Sequence, residues 1–141
     1  MLNVSCAFII HHRKILVAQN SPRANQPEKW EFPGGKIKPR ETAEACIIRE
    51  IYEELALNIS VVQQLQEVEF DYGEQTIRLI PFVCEIKGGS MQLNVHQAVK
   101  WTTFDFLPEF DLAAADRALL AISVNTEWLK KHLGKQVNKS G

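Results

Sequence analysis

The chain begins with a two-residue period of apolar side chains, at Val4, Cys6, Phe8 and Ile10. The polar stretch HHRK interrupts this pattern, and the apolar run ILVAQ follows it. A two-residue period places alternate side chains on one face of a β-strand. The pattern therefore predicts two strands joined by a tight polar turn.

Prolines and glycines then break the chain before a helical period begins. Residues 20–29 contain two prolines and no apolar period, which predicts a loop, and WEFPGGKIKPR predicts a short extended segment interrupted at PGG. From Thr42 the apolar spacing becomes helical, with Thr42 as the predicted N-cap and Asn58 as the predicted stop.

The second half of the chain is rich in predicted strands. The predicted elements are strands at 61–71 and 75–86 with a hairpin turn at Gly73, a turn in GGS, a strand in AVKWTTF, a short helix or turn in FDFLPEF, and one closing helix from Asp116 to about His132. The polar residues 135–141 predict a flexible tail, so we expect one domain over residues 1–134. This element order predicts an α/β or α+β fold with helices packed on a mixed sheet.

Composition and charge exclude several classes of protein. A chain of 141 residues with 45% hydrophobic and 23% charged residues is typical of one soluble globular domain. The net charge of −1 provides no positive electrostatic field that would attract a nucleic-acid polymer. No basic run precedes the first apolar stretch, and no apolar run is long enough to span a membrane. Cys6, Cys46 and Cys84 are odd in number and widely spaced, so we expect reduced core thiols in a cytoplasmic protein.

The predicted central helix carries three closely spaced carboxylates. With about 100° per residue, Glu50, Glu53 and Glu54 share an arc of about 100°. The apolar residues expected on the opposite face, against the sheet, are Ala45, Ile48, Tyr52 and Leu55.

Two explanations fit this acidic face. Surface helices are commonly acidic on the side that faces water. However, like charges at these spacings repel by a few tenths of a kcal/mol per pair. Arg49 can reach Glu53 and relieve only part of this repulsion. A hard divalent cation such as Mg²⁺ would neutralise more of this repulsion, because it prefers carboxylate and phosphate oxygens as ligands.

The spacing of these residues resembles the Nudix box, Gly-x5-Glu-x7-Arg-Glu-U-x-Glu-Glu-x-Gly-U, in which U is a bulky aliphatic residue. The matching residues are Gly35, Glu41, Arg49, Glu50, Ile51, Glu53, Glu54 and Leu57, whereas Ala56 replaces the second glycine. The flanking stretches WEFPGGKI, HQAVKW and DLAAAD are similar to MutT-type nucleoside triphosphate pyrophosphohydrolases, including bacterial CTP pyrophosphohydrolases.

This resemblance implies an α/β/α sandwich that uses Mg²⁺ or Mn²⁺ to hydrolyse a nucleoside diphosphate linked to another group. By position, the resemblance implies metal binding by Glu50, Glu53, Glu54 and the carbonyl of Gly34. It also implies that Glu53 orients or deprotonates the attacking water. Arg49 and Glu41 would hold the helix and the preceding loop in place.

The chain also departs from the family pattern. Ala56 matters only if that position needs a positive φ or a close contact; inside a helix alanine is favoured over glycine by about 0.5–1 kcal/mol, so we expect little effect. Asn20 stands where an arginine usually binds the phosphates, and Arg23 is the candidate substitute. Val95 and Lys100 stand where an acid would be expected in the late loop.

One histidine and two tryptophans outside the box have more than one possible role. His96 is a proton shuttle or metal neighbour in one interpretation, and a structural or surface histidine in the other. Trp30 and Trp101 are predicted to belong to the core or a pocket wall rather than to stack on a ligand.

Base selection is assigned by the same resemblance. Glu31 and Phe32 would lie at the mouth of the base site, and Asp116 would contact the edge of the base. An ionised Asp116 would accept from adjacent donors of a guanine-type or cytosine base. The alternative role of Asp116 is that of a helix N-cap.

The leading functional expectation is hydrolysis of 8-oxo-dGTP, CTP or 5-hydroxy-CTP to the monophosphate and pyrophosphate, as in nucleotide sanitation and DNA repair. One alternative is cleavage of a dinucleoside polyphosphate or a nucleotide sugar. Another is a non-catalytic domain that binds nucleotides. We expect a monomer or a homodimer.

Overall fold

The computed structural model describes residues 1–133, so the predicted tail at 135–141 lies outside the described residues. Its strands are β1 (Leu2–His11), β2 (Lys14–Gln19), β3 (Trp30–Glu31), β4 (Gly34–Lys36), β5 (Leu57–Gln64), β6 (Val68–Asp71), β7 (Thr76–Gly89) and β8 (Ala98–Thr102). Its helices are α1 (Ala43–Leu55), α2 (Ala114–Ala121) and α3 (Ser123–Leu133), with a 3₁₀ helix at Phe104–Glu109. None of these helices is long and apolar enough to span a membrane.

Strand β1 organises the sheet. It pairs in parallel with β7 on one side and antiparallel with β4 and β2 on the other, so the sheet is mixed, as predicted. The predicted turn between β1 and β2 is confirmed, and His12 and Arg13 adopt positive φ angles of 51° and 64° in it. The predicted hairpin is also confirmed, since β6 and β7 pair antiparallel from Asp71 and Thr76 around Gly73.

The alternation along β1 separates two hydrophobic cores. Cys6 and Phe8 pack on the side of α2 and α3, whereas Ala7 and Ile9 pack on the side of α1. Helices therefore cover both faces of the sheet, which confirms the expected α/β/α arrangement. All three cysteines are free and buried, and Trp30 and Trp101 pack against the two cores, as predicted.

Helix α1 packs with a different face from the one predicted. Leu55 is buried as expected, but Ala45 is exposed, and Ile48 and Tyr52 are 39% and 57% exposed. The face against the sheet instead contains Cys46, Ile47, Ile51, Glu54 and Leu55. The prediction failed because it assumed that the carboxylates must face away from the core. The buried face overlaps the acidic arc, so it brings Glu54 inward towards β4 and the sheet.

The end of α1 also differs from the prediction. The helix ends at Leu55, and Ala56 is its C-cap with a left-handed φ of 58°, so the stop lies two residues before Asn58. The N–H of Ala56 donates to the carbonyl of Tyr52 at 2.9 Å. The assumption that Ala56 lies inside the helix is wrong, and the positive φ for which the replacement of glycine was expected to matter is present. A left-handed backbone is strained for alanine and readily adopted by glycine.

We therefore expect Ala56→Gly to stabilise the protein by about 1 kcal/mol, because the left-handed strain disappears. Urea unfolding followed by circular dichroism measures this change. The matched control is Ala45→Gly on the exposed side of α1, which should destabilise by about 0.5–1 kcal/mol. Equal destabilisation by both variants would contradict the assignment of strain to Ala56.

A buried asparagine explains two further departures. The predicted closing helix is divided into α2 and α3 at Ile122, and the predicted strand 61–71 is divided into β5 and β6. Asn125 lies near the start of α3 and is fully buried. Its Oδ1 accepts from the N–H of Gln66 at 2.8 Å, and its Nδ2 donates to the carbonyls of Gln66 and Leu119 at 2.9 and 3.2 Å. Gln66 lies between β5 and β6 and has no strand partner within residues 1–133, so the Asn125 side chain supplies the hydrogen bonds of its backbone.

Asn125→Ala should destabilise the protein by about 2–3 kcal/mol, because it removes three hydrogen bonds, including both that the Gln66 backbone makes with this side chain. Chemical denaturation tests this value. Asn58→Ala, at an exposed position of β5, is the control and should change stability by less than about 0.5 kcal/mol. A similar effect for both variants would mean that the Asn125 side chain does not support the break between β5 and β6.

Candidate active site

The N-terminus of α1 is fixed by a side-chain cap. Thr42 Oγ1 accepts from the N–H of Ala45 at 3.0 Å, which confirms Thr42 as the N-cap. Because this cap sets where the helix starts, it also fixes the direction in which the carboxylates two to three turns later project from the helix.

Arg49 ties the acidic residues of the box together. Its Nε contacts Glu41 Oε2 at 2.6 Å, and its Nη1 contacts Glu50 Oε2 at 2.9 Å and Glu53 Oε1 at 3.1 Å. The hydrogen bond from Arg49 lowers the pKa of Glu41 to about 2. The predicted contact between Arg49 and Glu53 is therefore present, and Arg49 also links the loop before α1 to the helix.

Glu54 is the most deeply placed carboxylate of the helix. The residue is only 9% exposed, and within residues 1–133 its buried Oε1 atom has no hydrogen-bond partner. Burial raises the pKa of Glu54 to about 9, with the negative charges of Glu31 and Glu50 adding to the effect. A buried carboxyl oxygen without a donor is suited to a cation, which would replace the proton and remove the electrostatic penalty.

Two glycines let the helix approach the sheet. Strand β4 pairs with β1 so that Gly34 lies opposite Cys6 and Gly35 opposite Ser5. A Cβ atom on Gly34 would collide with the Ser5 carbonyl, and a Cβ atom on Gly35 would collide with the Glu50 carboxylate. Gly34 therefore permits the close pairing of β4 with β1, and Gly35 allows Glu50 to lie directly against the backbone of β4.

The chemistry of these donors fits a divalent cation, although their present arrangement is not that of a closed metal site. Among residues 1–133, no three acidic, histidine or cysteine side chains already form a metal-binding group. Glu50 and Glu53 are instead held by Arg49, and the Glu53 side chain is 53% exposed. Carboxylate oxygens beside a backbone carbonyl are nevertheless the donor set that hard cations prefer.

Two connected cavities lie beside this cluster. The smaller has a volume of about 130 Å³, and its lining includes Cys6, Glu31, Phe32, Tyr72 and Asp116. The larger cleft has a volume of about 740 Å³, and its lining includes Asn20, Gly35, Lys36 and Gln75. Glu31, Gly34 and Tyr72 line both. A ligand could therefore occupy the small cavity and extend past β4 into the cleft.

Asp116 is brought to the small cavity, but not as an N-cap. The N-cap of α2 is Ala113, so Asp116 lies in the first turn, and the alternative capping role is wrong. Asp116 Oδ2 accepts from the N–H of Phe32 at 2.8 Å. Burial raises the pKa of Asp116 well above its usual range, and the charge of Glu31 adds to this shift. The prediction considered only an ionised carboxylate, whereas a raised pKa also makes the carboxylic acid, a donor, accessible.

Phe32 joins the cavity to the core. Its side chain is only 2% exposed and packs edge-on against Phe8, with ring centroids 4.7 Å apart. The predicted pair Glu31 and Phe32 therefore does lie at the small cavity, with Phe32 as a rigid wall.

The structure does not bring Arg23 to the site. Arg23 is exposed and absent from the lining of both cavities. The Asn20 side chain donates to the carbonyl of Gln26 at 3.1 Å, which folds the loop back on itself and holds Arg23 outside. The prediction that Arg23 takes the place of the arginine expected at position 20 is thus unsupported. The basic residue that lines the cleft in the described part of the chain is Lys36.

The contact between two of the candidate polar residues was not predicted from the sequence. His96 Nε2 lies 2.8 Å from Glu31 Oε2, although 65 positions separate the two residues. Its neighbour Val95 is 57% exposed, and Lys100 is exposed on β8. No spacing rule could have joined His96 to Glu31, because only the packing of the loop before β8 brings them together.

Comparisons with known proteins agree with this architecture. A model of the NUDIX domain matches residues 1–121. The CTP pyrophosphohydrolase of Escherichia coli is 32% identical over 120 residues, covering 85% of this chain and 89% of that protein. A putative 8-oxo-dGTP diphosphatase 2 of Mycobacterium tuberculosis is 34% identical over 127 residues, covering 86% of this chain and 88% of that protein.

A solved structure supports the same relationship. The solution structure of the E. coli ORF135 protein superimposes with a TM-score of 0.76 at 29% identity, covering 90% of this chain and 91% of that one. The family match extends over most of the chain and includes the acidic helix, the two glycines and β1. The chain therefore belongs to the NUDIX domain family.

Proposed function

We propose that this protein hydrolyses a nucleoside triphosphate to the monophosphate and pyrophosphate, with Mg²⁺ or Mn²⁺ as cofactor. The observation that carries the proposal is the buried, unpartnered oxygen of Glu54 next to Glu50 and the glycines of β4. It lies beside a base-sized cavity that opens into a larger cleft. The names of the related proteins point to the same class of substrate, and NUDIX enzymes generally use divalent metal ions.

The metal would be held by Glu50, Glu53, Glu54 and the carbonyl of Gly34. When bound, the ion supplies charge neutralisation for the phosphates and lowers the pKa of water. Glu53 is the most exposed of the three carboxylates, and it would orient or deprotonate the attacking water. Arg49 would keep these side chains in position through its contacts with Glu41, Glu50 and Glu53.

The small cavity would select the base. Glu31 and Asp116 provide its polar groups, and Phe32 provides a flat apolar wall. We expect Asp116→Ala to redistribute preference among bases with little change in the optimal metal concentration, because Asp116 does not lie among the proposed metal ligands.

A substrate panel tests the proposal. The purified protein with Mg²⁺ is assayed for pyrophosphate release from 8-oxo-dGTP, dGTP, CTP and 5-hydroxy-CTP. We expect turnover of at least one of these triphosphates. A diadenosine polyphosphate and a nucleotide sugar are included, and cleavage of those compounds alone would favour the alternative class of substrate. Nucleotide binding without any cleavage across the panel would contradict a catalytic function.

Retention of the three box carboxylates weighs against a purely binding role. Glu54 is buried at an electrostatic cost that a nucleotide-binding protein without metal chemistry would not require. If the preferred substrate is an oxidised nucleotide, the reaction would remove it before a polymerase could use it, as in nucleotide sanitation.

A further inference from the structure

The segment between β7 and β8 connects the acidic helix to the small cavity. The N–H groups of Gln92 and Asn94 donate to the carbonyls of Leu55 and Glu54 at 2.9 and 3.0 Å. The Asn94 side chain donates to the carbonyl of Glu53 at 2.9 Å. These bonds satisfy carbonyl groups that a helix C-terminus leaves free, so the segment is anchored to the last turn of α1.

The far end of this segment is anchored to the sheet. The N–H of Gln97 donates to the carbonyl of Gln19 at the end of β2, with a distance of 3.0 Å. His96 lies between the two anchors, and its side chain is only 1% exposed. Its ring is therefore held in one place by the backbone on both sides and by the packing around it.

In the part of the chain that the structure describes, the buried ring has a single polar partner. His96 Nε2 bonds to Glu31 Oε2 at 2.8 Å, whereas the buried Nδ1 has no hydrogen-bond partner within residues 1–133. An unpaired buried polar atom lowers stability, so an apolar side chain of similar size would serve the core better. The contact with Glu31 is thus what the histidine provides that an apolar residue could not.

Glu31 is the residue that benefits from this contact. Its side chain is 25% exposed and lines both the small cavity and the cleft. Without a partner, a partly exposed glutamate would sample several rotamers, and fixing one of them beforehand strengthens ligand binding. Asp116, the other carboxyl group of the cavity, already uses Oδ2 to accept from Phe32. This leaves Glu31 as the carboxylate best placed to accept from a ligand.

We propose that His96 is a positioning residue, which fixes Glu31 so that its carboxylate accepts a hydrogen bond from an exocyclic amino group of the nucleobase. This inference rests on the proposed function for the identity of the ligand. It predicts that the protein prefers a base with an amino group over the matched base without one: CTP over UTP, or dGTP over dITP.

Three substitutions of His96 separate positioning from packing. Glutamine places an amide donor near the position of Nε2, asparagine places it near Nδ1, and leucine provides no donor. Val95→Ala is the control, because Val95 is the exposed neighbour of His96. Values of kcat/KM are measured for the better substrate of the two pairs and for its partner, together with the melting temperature.

We expect His96→Asn and His96→Leu to reduce the preference for the amino-bearing base about tenfold, in line with the loss of one hydrogen bond to a charged group. His96→Gln should restore most of the preference. His96→Leu should melt at the same temperature as the wild type or higher, since it removes the unpaired Nδ1. Val95→Ala should change neither quantity.

An unchanged preference in both the asparagine and leucine variants would overturn the proposal. So would an equal loss for both members of a substrate pair, or a wild-type protein without any preference between them. Dissociation constants for the same pairs give a second measure that does not need turnover. A preference in binding that falls in His96→Asn, without hydrolysis by the wild type, would support this inference while contradicting the proposed reaction.

Discussion

Glu54→Gln and Glu53→Gln should each lower kcat by a factor of about 10² to 10³, the usual effect of removing one electrostatic contact from a transition state. Glutamine keeps the size and one acceptor oxygen of glutamate but loses the negative charge. At position 54 the carboxyl group is buried and its Oε1 has no hydrogen-bond partner in residues 1–133, so this oxygen is available to a cation. The measurement is the steady-state rate of pyrophosphate release at saturating Mg²⁺.

The matched control for these variants is Glu44→Gln. Glu44 is an exposed acid in the first turn of the same helix and lies outside the proposed site. It should retain nearly full activity. Near-normal rates for both Glu53→Gln and Glu54→Gln would show that these carboxylates do not hold the metal, whatever the family resemblance implies.

Asp116→Asn should make the protein more stable at pH 8 than the wild type, and the difference should vanish as the pH falls towards 4. Burial raises the pKa of Asp116 in the folded state, so between the unfolded and folded pKa values the folded state binds more protons. The stability of the wild type therefore falls as pH rises through this window, by up to about 1.4 kcal/mol per pH unit. Asparagine cannot ionise, and its Oδ1 can still accept from Phe32.

Urea unfolding of both proteins from pH 4 to pH 8 measures this difference. Glu54 also has a raised pKa and contributes a slope of the same sign, but Glu54 is present in both proteins, so the difference between them reports on Asp116. Asp105→Asn, at an exposed position, should show no such trend. A constant difference between wild type and Asp116→Asn over this range would contradict a buried, protonated Asp116.

Local patterns in the sequence predicted most of the elements that position the acidic helix. The alternation from Val4 to Ile10, the N-cap at Thr42 and the turn at Gly73 all depend on neighbouring residues, and all three are confirmed. The contact of Arg49 with Glu53 also follows from helical spacing alone. Such features can be predicted from the sequence because their physical causes lie within one turn or one strand.

The sequence could not predict features that depend on packing between distant segments. The rotation of α1 was misassigned because Ile48 and Tyr52 are apolar yet exposed, whereas the acidic Glu54 is buried. The conformation of Ala56 follows from where the helix ends. The pairing of His96 with Glu31 and the role of Asn125 at Gln66 arise only after the loops have packed against the sheet.

We propose that the acidic helix and β4 form a metal-dependent site for cleaving a triphosphate at its inner anhydride. The most direct measurement is product analysis by ion-exchange chromatography, using the best triphosphate of the panel with Mg²⁺ or with excess EDTA. We expect equal amounts of nucleoside monophosphate and pyrophosphate with Mg²⁺, and no products with EDTA. Release of nucleoside diphosphate and phosphate, or turnover that EDTA does not affect, would contradict a metal-dependent pyrophosphohydrolase.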